Sequence, residues 1–280
     1  MSSRFDPHFY SLYRPFYPAE TFAGLTERLC RRGLMAPHTF ADIGCGTGHS
    51  TISLIRSEIQ SSASGRVIGI DPDALMLDEA RRLSAREQCD VEWRLGRGEA
   101  TGLEPASVDA ILIGSAFHWM KAGEVKAEVC RVLKRGGILR IFEYQFPKAV
   151  GHPELNEWIR REFNLRWKAP EQKPRGSLKE LTSIFRDDPE FEFLGDAQPK
   201  MEMQLDSEQL TGLILSQSRV LHFEDNLKDQ TEIQAFRNSV RSTVGNYLAE
   251  KSALFDFKLA WMEFGLRARG IPSGDLTGSS

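Results

Sequence analysis

The residues whose types and spacing best suit chemistry run from Asp42 to His49: Asp-Ile-Gly-Cys-Gly-Thr-Gly-His. An apolar run over 40–43 precedes them and a helical stretch follows. In a doubly wound sheet, ligands sit outside the carboxyl ends of strands, and glycines there let backbone amides approach closely. A glycine-rich tight turn with no ligand is the structural alternative. Three glycines at alternate positions, Gly44, Gly46 and Gly48, between a strand and a helix weigh against it. A dinucleotide site would use the same place but needs G-x-G-x-x-G, so that its pyrophosphate can meet the helix N-terminus. Here the third position falls on His49, and Asp42 just ahead of the loop would repel a diphosphate. The same carboxylate suits a positively charged amino-acid moiety.

A second carboxylate stands at Asp71, 23 residues beyond Gly48, at the end of the apolar run Val67-Ile68-Gly69-Ile70. A strand-end aspartate can accept hydrogen bonds from both hydroxyls of an adenosine ribose. Capping the helix that opens at Pro72 is the competing role, and the two are compatible. An acid for a cationic amino acid and another for a ribose together favour S-adenosylmethionine as the ligand.

These residues need elements to position them. From Phe40 the chain alternates apolar runs at 40–43, 66–70, 91–95, 108–114 and 137–142 with helical spacing at 50–61, 74–85 and 124–133. That alternation predicts a doubly wound, mostly parallel α/β sheet covered on both faces. Lys134-Arg135-Gly136-Gly137 looks like a basic last helical turn with a glycine stop. Ahead of the core, 18–33 reads as an amphipathic helix, and the aromatic stretch Phe9 to Tyr17 shows too little helix character to be one. After Tyr144, prolines punctuate a region with helical pieces near 153–167 and 178–185, strands near 190–194 and 200–205, helices near 208–220 and 232–250, and a last strand at 257–267. The expected organisation is an N-terminal lid and first helix (1–36) and a cofactor core (37–146). A substrate-covering helical insertion with the last sheet strands (147–269) and a frayed Gly/Ser-rich tail (270–280) complete it.

Asp42 to Gly48, Asp71, Gly96-Arg97-Gly98-Glu99, Ser107-Val108-Asp109 and Ala116-Phe117-His118-Trp119 together resemble the class I S-adenosylmethionine-dependent methyltransferases. Within them the chain is similar to the trans-aconitate methyltransferase-like (methyltransferase type 11) group, whose opening Tyr13-Arg14-Pro15-Phe16-Tyr17-Pro18 matches. The similarity extends through Pro153-Glu154-Leu155 to Leu213-Ile214-Leu215-Ser216-Gln217-Ser218. The resemblance implies a seven-stranded Rossmann-like sheet with a helical lid over its carboxyl edge. It assigns Tyr17, Asp42, Gly44, Gly46, Gly48, Asp71, Pro72, Gly98, Glu99 and Ser115 to the cofactor, with Gly98 and Glu99 beside adenine. Relatives often carry an acid where Arg97 stands, so either side chain is a candidate for the exocyclic amine, and a solvated carboxylate is the plain reading of Glu99. Tyr13, Arg14, His118, Trp119, Trp167 and Ser216 are assigned to the acceptor, with Arg175 and Gln217 nearby. His118 is the candidate catalytic residue, able to orient a carboxylate or take a proton from a hydroxyl; packing as a structural corner is the other role open to His118 and Trp119.

Composition narrows the partners. The 280 residues, 41% hydrophobic and 27% charged, are ordinary for a globular chain, and no run approaches the roughly eighteen apolar residues of a membrane span. The N-terminus lacks a signal-peptide core, and Cys30, Cys45, Cys89 and Cys130 form no CxxC pair, so a cytoplasmic, reduced, metal-free protein is expected. A net charge of −3 gives no field for nucleic acid; Arg31-Arg32, Arg81-Arg82 and Arg160-Arg161 are the kind of pairs that usually face solvent. The function expected is methyl transfer to a small-molecule acceptor, an anionic one fitting the arginines, by O-methylation of a carboxylate or hydroxyl, with S-adenosylhomocysteine as product. A protein that binds the cofactor without transferring methyl is the alternative. A nucleic-acid or protein methyltransferase fits less well, since Ser115-Ala116-Phe117-His118 is not the Asn/Asp-Pro-Pro-Tyr/Phe element such enzymes often use. Oligomeric state leaves no mark on the sequence.

Overall fold

The computed structural model describes residues 5–59, 65–167, 176–249 and 251–268. Among the described residues ten strands form in chain order: β1 (Thr39–Ile43), β2 (Arg66–Asp71), β3 (Glu92–Leu95), β4 (Val108–Gly114), β5 (Leu133–Tyr144), β6 (Lys148–Ala149), β7 (Phe191–Ala197), β8 (Glu202–Leu205), β9 (Ala253–Asp256) and β10 (Leu259–Leu266). Seven make one sheet in the order β3-β2-β1-β4-β5-β10-β7. β1 to β5 pair in parallel, and β10 runs antiparallel to both β5 and β7. The order reverses between β1 and β4, which places the switch point of the doubly wound sheet at the end of β1.

Alternation along the strands explains why both faces are covered. Phe40, Val67, Ala110, Leu112, Ile138 and Phe142 face one core with Phe22, Leu25, Leu29 and Ile52. Ala41, Ile43, Ile68, Ile70, Ile111, Ile113, Leu139 and Ile141 face the other with Val125, Val129 and Phe185. A third core, built from Leu155, Phe163, Trp167, Leu210, Ile214, Phe236, Val244 and Phe255, belongs to the covering layer, where β6, β9 and β8 form a small antiparallel sheet.

A buried ion pair fastens the N-terminal region to the sheet. Arg140 on β5 and Glu263 on β10 sit opposite each other in register, both essentially inaccessible. Arg140 also donates to the Thr21 carbonyl at 2.6 Å and lies over the Trp261 ring, and Arg28 of the helix Leu25–Arg31 reaches Glu263 from the edge. Stranding one charge of such a pair costs about 3–5 kcal/mol.

Several expected elements differ. The aromatic opening is a helix, Pro7–Tyr13: Asp6 accepts from the His8 and Phe9 amides, Pro7 occupies the first turn, and packing against the covering layer outweighs weak propensity. The stretch 18–33 is broken at Gly24, whose φ of +73° ends a short turn at Ala19–Thr21 before the helix Leu25–Arg31 begins. Lys134-Arg135 belong to the start of β5, since the preceding helix closes at Val132. The stretch 208–220 divides into Ser207–Leu215 and Ser218–Asp225, and β9 precedes the last strand. The tail expected to fray lies outside the described residues.

Candidate active site

β1 delivers Asp42 and the glycine loop to the switch point. Gly44, Gly46 and Gly48 have φ of +73°, +55° and +87°, a region that side-chain-bearing residues seldom adopt. A Cβ at Gly44 would stand 2.6 Å from the Ala116 Cβ, and one at Gly48 would stand 2.7 Å from the Trp93 ring. The loop is pinned to β2 by the Gly44 and Cys45 amides, which donate to the Ile70 carbonyl at 2.8 and 3.1 Å. Gly48 then opens the helix His49–Leu54, whose Ser50 and Thr51 hydroxyls both donate to Asp42 Oδ2 at 2.6 Å. Asp42 Oδ1 is buried and has no hydrogen-bond partner. Burial pushes the Asp42 carboxyl up to about 6, against the two hydroxyls that hold it down. A buried carboxylate with one unmatched oxygen fits an ammonium group, as the amino-acid end of S-adenosylmethionine requires.

Asp71 ends β2 beside this loop. Its Oδ2 accepts from the Gly46 amide at 2.9 Å and its Oδ1 from the Asp73 amide at 3.0 Å. The capping role considered for it falls instead to Asp73, whose side chain accepts from the Leu75 amide at the start of the helix Ala74–Arg86. Each Asp71 oxygen keeps acceptor capacity, so a ribose diol fits it. Burial raises its pKa. Pro72 is exposed next to it.

After β3, Gly98 is buried against Met120: a Cβ there would lie 2.7 Å from the Met120 Sδ. Met120 Cε also approaches Gly44, so one flexible thioether spans the first and third loops of the site. Glu99 Oε1 accepts from the Lys121 amide at 2.9 Å, at the mouth of the helix Ala122–Val132. That gives Glu99 a structural task of its own.

At the ends of β4 and β5 a polar group assembles that joins the lid to the sheet. Ser115 takes φ of +50° and donates its amide to the Phe142 carbonyl at 2.7 Å. The Tyr17 hydroxyl donates to Ser115 Oγ at 3.1 Å, and its ring packs on Phe142 and Tyr144. Burial, with Tyr144 beside it, pushes the Tyr17 hydroxyl well above its usual range. Arg14 lies over the Tyr10 ring, donates to the Ser216 carbonyl at 3.0 Å and hydrogen-bonds Tyr144. Its Nε is buried without a partner. A left-handed serine at a strand end is backbone strain of the kind that marks working sites.

The remaining expected residues are more scattered. Tyr13 packs over Gly212, and its hydroxyl is 3.4 Å from Glu208, facing a cleft of about 360 Å³ with Thr211 and Arg241 rather than the Ser115 group. Ser216 is buried, with its hydroxyl on the Leu213 carbonyl; its contribution is the backbone carbonyl that holds Arg14. The Gln217 amide also bonds the Leu213 carbonyl. His118 is half-buried, with its ring 4.9 Å from that of Trp119, which is 66% exposed. Trp167 is 1% exposed and enclosed by Trp158, Phe163 and Phe236, which makes it a core residue of the covering layer and not a wall open to an acceptor. Arg175 lies outside the described residues. Sequence reasoning missed Tyr144 and Met120; position alone was the available signal for Tyr144, as the last residue of a strand that ends at the carboxyl edge. Among the described residues no three His, Cys, Asp or Glu side chains converge as metal ligands, and no helix is long and apolar enough to cross a membrane.

Comparison with known proteins agrees with this architecture. Residues 40–137, which include the glycine loop, Asp71, Gly98 and Ser115, match the family model described as a methyltransferase domain. An uncharacterized methyltransferase of Mycobacterium tuberculosis (strain ATCC 25618 / H37Rv) is 34% identical over 154 residues, 55% of this chain and 56% of its own length. Trans-aconitate 2-methyltransferase of Azoarcus sp. (strain BH72) is 32% identical over 129 residues, 45% of this chain and 46% of its own. The chain thus spans about half the length of the curated relatives it matches. A structure from Anaeromyxobacter dehalogenans assigned as a type II methyltransferase superposes with a TM-score of 0.65 at 21% identity, covering 91% of this chain and 99% of that one. Residues 40–137 are thus similar to a methyltransferase domain, and the fold is that of a solved methyltransferase structure.

Proposed function

We propose that this protein transfers a methyl group from S-adenosylmethionine to a small-molecule acceptor, by O-methylation of a carboxylate or hydroxyl. The observation that carries the reading is the Tyr17–Ser115 hydrogen bond at the end of β4, where burial raises the pKa of the Tyr17 hydroxyl and the Asp42 carboxyl is near enough to help. It joins the N-terminal segment to the strand end where an acceptor would meet the methyl group, with the Tyr17 ring packed against the covering layer. When bound, the cofactor supplies a methyl group already activated on a sulfonium, so the protein's task is alignment and desolvation. Asp42 holds the amino-acid end and Asp71 the ribose, with the glycine loop from Gly44 to Gly48 lining the cleft between them. Arg14, with its buried unpartnered Nε, is the cation for an anionic group, and the Tyr17 hydroxyl with Ser115 orients the acceptor oxygen. His118 is available to accept a proton when that oxygen belongs to a hydroxyl; a carboxylate needs no base. A net charge of −3 favours a small acceptor over a nucleic acid.

The test is incubation with methyl-labelled S-adenosylmethionine and a panel of small carboxylic acids and phenolic or alcoholic metabolites, with mass analysis of the methylated atom. An O-methylated product whose rate falls at least tenfold in Tyr17→Phe supports the reading. Product methylated only at nitrogen or carbon overturns the O-methylation part. Tight cofactor binding with no transfer to any acceptor class favours the non-transferring alternative.

A further inference from the structure

His49, the residue standing where a dinucleotide loop would carry its third glycine, has no part in holding the cofactor or the acceptor in the account above. It is 7% exposed, and its Nδ1 lies 3.1 Å from the Thr47 hydroxyl inside the glycine loop. The Phe16 ring of the lid packs on its imidazole at 4.7 Å. Burial lowers its pKa to about 4, while the backbone of Ser11, facing the ring from the lid helix, opposes that shift as a carbonyl oxygen does; Arg14 and Arg86 push in the same direction as burial. A neutral imidazole has one donor and one acceptor, which matches a carbonyl on one side and the Thr47 hydroxyl on the other.

The rest of this helix and the π-helical turn after it continue the contact. Ser53 Oγ donates to the His49 carbonyl at 2.7 Å and accepts from the Tyr17 amide at 3.0 Å. The Arg56 guanidinium lies 4.7 Å from the centre of the Phe16 ring. His49, Ser53 and, in the π-helical turn Ile55–Ile59 that follows, Arg56 each meet residues 16–17 of the lid, which therefore lies along one side of this segment. The far end of that lid segment is Tyr17, whose hydroxyl reaches Ser115.

We infer that His49 is a positioning residue that locks lid residues 11–17 to the helix leaving the glycine loop, so that loop geometry at Thr47 and placement of the Tyr17 hydroxyl at Ser115 are set together. Ordering of the loop by the cofactor then reaches the methyl-transfer edge through a side chain that touches neither the cofactor nor the acceptor. The inference rests on the reading of the glycine loop as the cofactor site, and its test separates the two.

Hydrogen exchange of the full chain, with and without S-adenosylmethionine, reads the coupling directly. In the wild type the cofactor is expected to slow exchange of residues 9–17 at least tenfold. In His49→Ala the cofactor still binds, but residues 9–17 exchange at least tenfold faster and the cofactor no longer slows them, while the helix Gln230–Leu248 keeps its protection. His49→Gln, which retains a donor and an acceptor, restores part of the effect, and Thr47→Val, which removes only the hydroxyl, loses part of it. Unchanged cofactor protection of 9–17 in His49→Ala overturns the inference, as does an equal loss throughout the chain. Should His49→Ala fail to fold, full protection in Thr47→Val overturns it. A wild type that binds no cofactor overturns the site reading first and the coupling with it.

Discussion

The glycine-loop side of the sheet and the covering layer treat buried carboxylates in opposite ways. Around β1, β2 and β4, buried polar atoms are left with capacity to spare: Asp42 Oδ1 is unmatched, Asp71 accepts only one amide on each oxygen, and Ser115 is held in a strained conformation. In the covering layer buried carboxylates meet cations, Glu162 with Arg166 and Glu224 with Arg237, and Trp167 Nε1, which has no hydrogen-bond partner, lies among hydrocarbon. Asp206 and Gln209 cap each other, and the Trp167 ring is packed among aromatic rings. Spare capacity at buried polar atoms is a cost that a ligand can offset, whereas satisfied groups stabilise the fold alone. One region is built to bind, and the other to enclose.

Substitutions can break that contrast. The largest effect is expected for Trp167→Ala, which should lower unfolding stability by about 3–5 kcal/mol, as large aromatic truncations in cores do, yet leave S-adenosylmethionine affinity within about twofold. Chemical denaturation and titration calorimetry on the same preparation check both halves; a selective loss of affinity would turn the covering layer into part of the cofactor site. Gly44→Val is the mirror case. Its side chain meets Ala116 and Met120 at a left-handed position, so affinity should fall about a hundredfold, roughly 2.7 kcal/mol, with a smaller loss of stability.

A pH titration sharpens the same point at Asp42. Its folded pKa, raised to about 6, exceeds that of an unfolded aspartate. The native state therefore binds the proton more tightly, and this group's contribution to stability is fully present below about pH 4 and lost as pH rises through 6. A bound ammonium reverses the preference by favouring the ionised carboxylate. Cofactor affinity should accordingly weaken about tenfold as pH falls from 7.5 to 5, with proton release on binding near pH 6, and Asp42→Asn should flatten the dependence. Calorimetry in buffers of different ionisation enthalpy measures the released proton. The smallest effect is expected at Glu99: because its carboxylate holds the Lys121 amide, Glu99→Gln should change affinity less than about threefold. A larger loss would restore Glu99 to the adenine.

The two regions also differed in how legible they were. Strand-loop-helix units announce themselves locally, since an apolar run, a glycine turn that needs positive φ and an amphipathic helix follow one another within thirty or so residues. The places of Asp42 and the loop glycines at the end of β1 and of Asp71 at the end of β2 were therefore readable in order, as was the sheet from β1 to β5. The lid helix was not, because Pro7–Tyr13 is rich in aromatic residues of modest propensity and forms through its Asp6 cap and tertiary packing. Tyr144, Met120 and the burial of Trp167 were hidden for a related reason. Each depends on contacts between residues far apart in sequence, such as Trp167 with Phe236 or Met120 with Gly44, and no local period encodes them. The break of the helix at Ser216-Gln217 was missed as well, since no proline or glycine marks it.

The central claim is that the loop from Gly44 to Gly48 and the carboxylate of Asp71 hold S-adenosylmethionine. Isothermal titration of the wild type and of Asp71→Ala with S-adenosylmethionine, and in parallel with NADH, tests it most directly. The expected result is saturable binding of S-adenosylmethionine, weakened at least tenfold by the substitution, and none of NADH. Absence of S-adenosylmethionine binding, NADH binding in its place, or indifference to Asp71→Ala would contradict the account.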